Sequence, residues 1–183
     1  MAMHHRVQLL AEDIWDTPDD ENRYEVIDGE LYVTPPPSLA HQHVVTVLSR
    51  RLGSFIEEHR LGALFVAPIG VILERGIGVQ PDIVFVSRER SGILSERGLE
   101  GAPTLAVEVL SPSTSRRDRG IKMRRYAAAG VEHYWMIDPR IRTLEAYELG
   151  SDGYVPIATL GGDESFRPTL FPGLAIMLSD LWR

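Results

Sequence analysis

Two carboxylates stand within apolar stretches of this sequence, where an acidic side chain needs compensation for its charge. Asp82 opens the run "DIVFV", and Glu108 lies in the middle of "LAVEVL". Acidic side chains are rarely buried unless they are paired or bind a metal ion. Two carboxylates brought together repel each other unless a cation separates them or one takes a proton. Because oxygen ligands suit hard ions, the pair indicates a site for Mg²⁺ or Mn²⁺.

The alternation of side chains along a strand decides whether these two acids can meet. Glu108 shares a strand face with Ala106 and Leu110, and Asp82 shares a face with Val84. If the two strands are neighbours, the carboxylates converge on one side of the sheet. The alternative is that Asp82 lies in water at a strand end while Glu108 pairs with an arginine.

A single lysine follows these acids along the chain. Lys122 is the only lysine, and the other 18 basic residues are arginines. Lysine differs from arginine in carrying a compact charge on a flexible stem, which matters in a site more than on a surface. Lys122 shares a predicted helix face with Asp118 and Tyr126, at spacings of four residues. We expect this lysine to meet the two acids, the alternative being a solvated charged helix face.

The elements that position these residues follow from hydrophobic periodicity and turn residues. Asp28-Gly29 predicts a tight hairpin within residues 24–34, and apolar spacings of three and four predict a helix over 39–59. A second, basic helix is predicted over 115–129, with Ser115 and Asp118 spaced as a capping box. Strands are predicted at 63–67, 69–74, 82–86, 104–110 and 132–138, with edge strands at 143–149 and 154–160. This order predicts an α/β fold with one mixed central β-sheet flanked by helices.

Domain boundaries and composition narrow the classes of protein. We expect residues 1–22 to form an N-terminal lead-in with a short helix near 9–15, and residues 23–183 to form one domain. No apolar run approaches the roughly 20 residues that a membrane span needs, and no signal peptide is recognisable. We therefore expect a soluble, cytoplasmic protein without membrane contact. The net charge of −7 argues against a surface that is positively charged throughout and binds nucleic acid without specificity, although residues 115–125 form a local basic patch.

Three segments together resemble a known family. These are "QPDIVFV", "LAVEVLSPST" and "RDRGIKMRRYAAAGVEHYWMIDP". They are similar to the Uma-type family of putative restriction endonucleases, a former domain of unknown function within the PD-(D/E)XK nuclease superfamily. The resemblance runs from about Tyr24 to Leu149 and continues weakly into "FPGL". It implies a restriction-endonuclease-like core and a metal-dependent endonuclease that hydrolyses phosphodiester bonds of DNA. The alternative is a catalytically silent nuclease-fold protein that binds nucleic acid or a protein partner.

The resemblance also implies roles for individual residues. Pro81-Asp82 and Glu108 match the acidic elements of the superfamily, whereas the lysine expected two residues after Glu108 is Leu110. Lys122 resembles the replacement for that lysine, and Glu30 matches a further acid in the first hairpin. The implied catalytic residues are Asp82, Glu108, Lys122 and Glu30. The implied ligands of Mg²⁺ or Mn²⁺ are Asp82, Glu108 and the backbone carbonyl of Val109.

The implied partner is DNA. Arginines of the basic patch would contact its phosphates near the mouth of the site, which makes binding sensitive to salt. The predicted substrate-binding residues are Arg116, Arg117, Arg119, Gln80 and His41. Nucleases that cut both strands often act as dimers, and exposed edge strands could pair in a homodimer.

Overall fold

The structure is a computed structural model that describes residues 8–182. Its strands are β1 (Arg23–Ile27), β2 (Glu30–Thr34), β3 (Gly62–Val66), β4 (Val71–Glu74), β5 (Ile77–Val79), β6 (Ile83–Ser87), β7 (Leu99–Glu100), β8 (Leu105–Val109), β9 (His133–Asp138), β10 (Thr143–Gly150), β11 (Gly153–Gly161), β12 (Ser165–Phe166) and β13 (Ile176–Met177). Its helices are α1 (Leu39–Glu58), α2 (Ser115–Arg117), a π turn (Asp118–Lys122), α3 (Met123–Ala129) and 3₁₀ helices at Ala11–Asp16, Arg88–Ile93 and Leu178–Trp182. Within residues 8–182, no helix combines the length and apolarity that crossing a membrane requires.

A six-stranded sheet forms the centre of the fold, in the order β11-β10-β9-β8-β6-β3. It is mixed, because β8 and β9 are parallel and the other neighbours are antiparallel. All five residues of β8 are buried, as expected for a strand that is covered on both faces. The predicted α/β fold with a mixed central sheet is therefore confirmed. Of the two predicted edge strands, β11 lies at the edge, whereas β10 lies between β9 and β11.

A second sheet, in the order β2-β1-β5-β4-β7, covers one face of the central sheet. The sequence predicted one sheet, whereas the structure has this second sheet as well. Apolar side chains of the second sheet, such as Ile27 and Val79, pack with Val84 and Ala106 of the central sheet. The hairpin β1–β2 therefore forms a separate layer that closes this face.

Helix α1 covers the opposite face of the central sheet. It buries Val44, Leu48, Leu52 and Ile56 in one cluster with the other face of β6 and β8. The Ser38 side chain caps the helix by accepting a hydrogen bond of 3.2 Å from the backbone N–H of His41. His41 is consequently fixed in the first turn, at the end of the sheet where β6 begins.

The basic helix, residues 115–129, is confirmed in its extent but is not a regular α-helix. A π turn separates α2 from α3, and such turns are frequent at functional sites. The predicted capping box is absent, because Thr114 precedes α2 without a side-chain cap and Asp118 is buried. The helix ends at Gly130, whose φ of 84° is left-handed.

The N-terminal segment packs on the second sheet. The backbone N–H of Leu9 donates to the Gly29 carbonyl at 3.1 Å, and that of Ala11 donates to the Arg75 carbonyl at 2.8 Å. Ala11 and Ile14 are buried. The first seven residues of the predicted lead-in lie outside the described residues.

Two glycines in the basic helix offer a test of this backbone. Gly130→Ala should destabilise the protein by about 1 to 2 kcal/mol, because a left-handed conformation is unfavourable for a residue with a Cβ. A Cβ at Gly130 or at Gly120 meets no other atom within 4 Å in the described part of the chain, and only Gly130 has a positive φ. Gly120→Ala should therefore be neutral or stabilising. Urea unfolding measures both changes, and shifts of the same sign and size would contradict this account.

Candidate active site

Asp82 and Glu108 meet where β6 begins and β8 ends. Ile83 pairs with Val107, and the backbone N–H of Asp82 donates to the Val107 carbonyl at 3.1 Å. The Asp82 Oδ2 accepts a hydrogen bond of 2.7 Å from the Val109 N–H. Asp82 is 1% exposed and Glu108 is 2% exposed. The predicted strand neighbours are therefore confirmed, and both acids are buried rather than solvated.

Lys122 reaches these acids from the π turn. Its Nζ lies 2.6 Å from Glu108 Oε1 and 3.5 Å from Asp118 Oδ1, and its side chain is 1% exposed. The Tyr126 hydroxyl donates to the same Glu108 Oε1 at 2.7 Å. The expected inward face of Asp118, Lys122 and Tyr126 is thus what the structure shows.

A third buried acid, Glu25, was missed by reasoning from the sequence. Its Oε1 lies 2.7 Å from Lys122 Nζ and accepts a hydrogen bond of 3.1 Å from the Gln80 N–H. Its Oε2 lies 3.2 Å from Arg117 Nη2. The available signal was the one that revealed Glu108, namely an acid between apolar residues of a strand, here Tyr24 and Val26.

Glu30, the hairpin acid predicted to be catalytic, lies away from this cluster. It begins β2, is exposed, and is not among the residues that line the cleft described below. The Tyr32 hydroxyl lies 3.4 Å from Glu30 Oε2. The hairpin therefore contributes Glu25 rather than Glu30 to the acidic cluster. The catalytic role of Glu30 stays a prediction, which variants of Glu25 and Glu30 can test.

Asp82 is held by two side chains besides the Val109 backbone. The Arg23 guanidinium donates to Asp82 Oδ1 at 2.5 Å. The His41 Nε2 lies 3.3 Å from Asp82 Oδ2. His41 and Gln80, both predicted to bind substrate, line the same cleft as Asp82.

The structure brings one of the three predicted arginines into the cleft. Arg117 lines it, donates to Thr34 Oγ1 at 2.8 Å and lies over the Tyr32 ring. Arg116 is exposed and lies outside the cleft lining. Arg119 also lies outside it and pairs with Glu145, with Nη2 and Oε1 2.6 Å apart.

Burial and neighbouring charges shift the pKa values of the two predicted metal ligands in opposite directions. Burial raises the pKa of Asp82, but the His41 hydrogen bond and the Arg23 charge outweigh it, which leaves a pKa of about 2. Burial raises the pKa of Glu108 to about 8; Lys122 opposes this shift, and the negative charges of Asp118 and Asp82 add to it. Asp82 is therefore ionised near neutral pH, whereas Glu108 retains a proton.

The pKa of Lys122 is raised above its usual value. Burial alone would lower it, but the surrounding carboxylates, Glu108 first, outweigh burial. Because Glu25 and Asp118 also contact it, Lys122 remains charged when Glu108 is neutral. The buried group as a whole contains four carboxyl groups and three permanent cations. These are Glu25, Asp82, Glu108 and Asp118, with Arg23, Arg117 and Lys122.

These residues line a cleft of about 540 Å³ between the start of α1, the hairpin, the ends of β6 and β8, and the π turn. The donor set suits a divalent cation, because the carboxyl groups of Asp82 and Glu108 on adjacent strands offer hard oxygen ligands. The cation would displace the proton of Glu108 on binding. In residues 8–182, no group of three or more acidic or histidine side chains is arranged to hold a metal ion by itself. Water or substrate oxygens would complete the coordination, as is usual for Mg²⁺.

A mixed sheet whose neighbouring strands present two acids to a lysine defines the class of restriction-endonuclease-like proteins. The model of the Uma2 family, described as putative restriction endonuclease, matches residues 11–179. The chain belongs to this family, and the predicted resemblance is confirmed. A putative nuclease belonging to DUF820 from Anabaena variabilis ATCC 29413 has a similar crystal structure, with a TM-score of 0.78 and 19% identity over 95% of this chain and 97% of that one. At this identity the likeness shows the fold alone. No curated protein matches the chain.

Proposed function

We propose that this protein is a metal-dependent endonuclease that hydrolyses phosphodiester bonds of DNA. The observation that carries the proposal is Lys122, a fully buried ammonium that contacts Glu108 and Glu25 beside Asp82 in a cleft. Replacing buried ion pairs by apolar residues is often neutral or stabilising, so such a cluster has no evident use in folding alone. Membership of a family of putative restriction endonucleases supports the same class of reaction.

Asp82, Glu108 and the backbone carbonyl of Val109 are the residues that would hold Mg²⁺ or Mn²⁺. A bound divalent ion would lower the pKa of a water molecule and stabilise negative charge on the phosphate. In the metal-free protein, Arg23, His41 and the Val109 N–H hold the Asp82 carboxylate in place. Tyr126 and Lys122 do the same for Glu108 through its Oε1.

The hydrolysis itself requires three events. A water molecule gives up a proton as its oxygen attacks phosphorus, the bond from phosphorus to one sugar oxygen breaks, and that sugar oxygen takes up a proton in turn. Lys122 supplies a positive charge that orients the attacking water or stabilises the charge on the phosphate oxygens, and such stabilisation is worth several kcal/mol in a site without bulk water. Glu25 and Asp118 act as positioning residues, because they hold the ammonium group from two other directions.

DNA would bind in the cleft, next to the residues predicted to bind substrate. We assign Arg117, Gln80 and His41 to the nucleotides next to the scissile phosphate, because these residues line the cleft. The exposed Arg116 and Arg119 would contact phosphates further along the strand. Each phosphate contact that releases a counterion makes binding weaker as the salt concentration rises.

The test combines calorimetric titration of Mg²⁺ or Mn²⁺ with plasmid nicking on the same samples. The wild-type protein should bind the ion and nick DNA only in its presence. Asp82→Ala should weaken ion binding at least tenfold, because it removes a charged ligand. The control is Asp163→Asn, at an exposed acid outside the cleft, which should change neither property.

Two outcomes would contradict the proposal. Ion binding without nicking of any plasmid or oligonucleotide would favour a catalytically silent nuclease-fold protein. The absence of ion binding in the folded wild-type protein would mean that the four acids are structural and that the cations of the chain satisfy them.

A further inference from the structure

Both oxygens of Asp82 face hydrogen-bond donors of the chain. Oδ1 accepts from Arg23 at 2.5 Å, while Oδ2 accepts from the Val109 N–H at 2.7 Å and lies 3.3 Å from His41 Nε2. A divalent ion on Asp82 needs lone pairs that are directed at the ion. A guanidinium and a divalent ion are both positive, and they repel each other strongly when they share one buried carboxylate. Arg23 is therefore a direct competitor for the proposed metal ligand.

Arg23 is also the cation of the cluster with the greatest freedom to move. Its side chain is 20% exposed, against 13% for Arg117 and 1% for Lys122. Lys122 contacts three carboxylates, and Arg117 is held by Glu25 and Thr34. The one ion-pair contact of Arg23 within 4 Å in residues 8–182 is the contact with Asp82.

The backbone of Arg23 does not have to move with its side chain. Arg23 is the first residue of β1 and pairs with Thr34 of β2. Residues 20–22, directly before it, line the rim of the cleft. A rotation of the long side chain alone would thus carry the guanidinium from Asp82 into the open part of the cleft.

We propose that Arg23 exchanges partners during the working cycle of the site. It neutralises Asp82 in the metal-free protein, leaves when a divalent ion binds, and then contacts the phosphate of the substrate. A guanidinium suits the second role, because its planar fork matches two phosphate oxygens. This inference rests on the proposed function, since it assumes that Asp82 is a metal ligand and that the substrate carries a phosphate.

The test is Arg23→Met, which retains the length of the stem and removes the charge. Titration of Mn²⁺ without DNA should show a dissociation constant at least fivefold lower than that of the wild-type protein, because the competitor is gone. Binding of a short oligonucleotide, measured in Ca²⁺, should weaken at least threefold, and its dependence on log salt should lose a slope of about 1. The matched control is Arg51→Met, at an exposed arginine that pairs with Asp180 at 3.0 Å, and it should leave the Mn²⁺ affinity unchanged.

A second measurement needs no variant, and it covers the case in which Arg23→Met does not fold. In nuclear magnetic resonance spectra of the wild-type protein, the side-chain Nε–H signal of Arg23 should shift on titration with Mg²⁺ and shift again when the oligonucleotide is added. The exchange would be overturned if folded Arg23→Met bound Mn²⁺ with unchanged or weaker affinity, or if the Arg23 signal did not shift on addition of Mg²⁺. The proposed function would still stand in that case, provided that the wild-type protein nicks DNA. Tighter Mn²⁺ binding with unchanged DNA affinity would overturn the phosphate contact. If the wild-type protein and the variant both failed to bind Mn²⁺ and to nick, the proposed function would fall as well.

Discussion

Replacing Lys122 with methionine is expected to lower the rate of metal-dependent nicking by about 10²- to 10³-fold, the usual effect of removing one charge-stabilising group from an active site. Methionine fills much of the same buried volume, so the loss of the ammonium group is the main change. Plasmid nicking under conditions of excess protein measures the rate. The far-UV circular dichroism of the variant shows whether it is folded.

The same substitution should also destabilise the fold. Lys122 contacts Glu25, Glu108 and Asp118, and removing one partner of a buried ionic group costs about 3 to 5 kcal/mol. Without the lysine the pKa values of all three acids in the folded state rise, and burial already holds those of Glu108 and Asp118 above their ordinary values in the wild-type protein. The folded variant then binds more protons than the unfolded chain, so its stability should increase as the pH falls through this range. Urea unfolding at two pH values separates this effect from the loss of activity.

Arginine at position 122 would distinguish charge from shape. Lys122→Arg keeps the positive charge, but a planar fork cannot enter the space of a point charge that is 1% exposed among three carboxylates. We expect a loss of nicking close to that of the methionine variant. The control is Arg124→Met, at an exposed position of the same helix. Nicking that survives in Lys122→Arg would show that charge alone is sufficient, and nicking that survives in Lys122→Met would remove the lysine from the mechanism.

The convergence of Asp82, Glu108 and Lys122 was predictable because each inference depends on a local periodicity. The alternation of a strand assigns each acid to a face, and the spacing of four residues on a helix assigns Lys122 to a face with Asp118. The same local geometry explains which arginine enters the cleft. Residues 116, 117 and 119 lie at different angles around a helix with 3.6 residues per turn, so one of them can face the site while the others face solvent.

The rest of the site depends on contacts that no local pattern contains. Periodicity shows that the hairpin has a buried face, but not that this face belongs to a second sheet that covers the first. The roles of Glu25 and Arg23 depend on that second sheet, and neither role was predicted from the sequence. The π turn was hidden for another reason: it keeps Asp118 and Lys122 aligned, as an α-helix would, and leaves little trace in the sequence. The sequence placed Asp118 both on the face of Lys122 and in a capping box, and the structure shows only the first of these placements.

The choice between Glu25 and Glu30 of the hairpin tests most directly what the structure adds to the sequence. Glu25→Gln is expected to lower the nicking rate by about 10²-fold, because the ammonium group loses the carboxylate that fixes its position. Glu30→Gln is expected to leave the rate within twofold, since Glu30 is exposed and lies outside the cleft lining. The reverse result would support the role that the family resemblance implies for Glu30.

A double variant then shows whether Glu25 acts through the lysine. Burial raises the pKa of Glu25, but the charges of Lys122 and Arg117 outweigh it and hold this pKa below its usual value. The carboxylate is therefore ionised at neutral pH, and Glu25→Gln removes a charge from its contact with the lysine. If Glu25 only positions Lys122, adding Glu25→Gln to Lys122→Met should reduce the rate little further, because both substitutions break the same contact. Losses that multiply would instead mean that Glu25 acts on the substrate or the metal independently of Lys122.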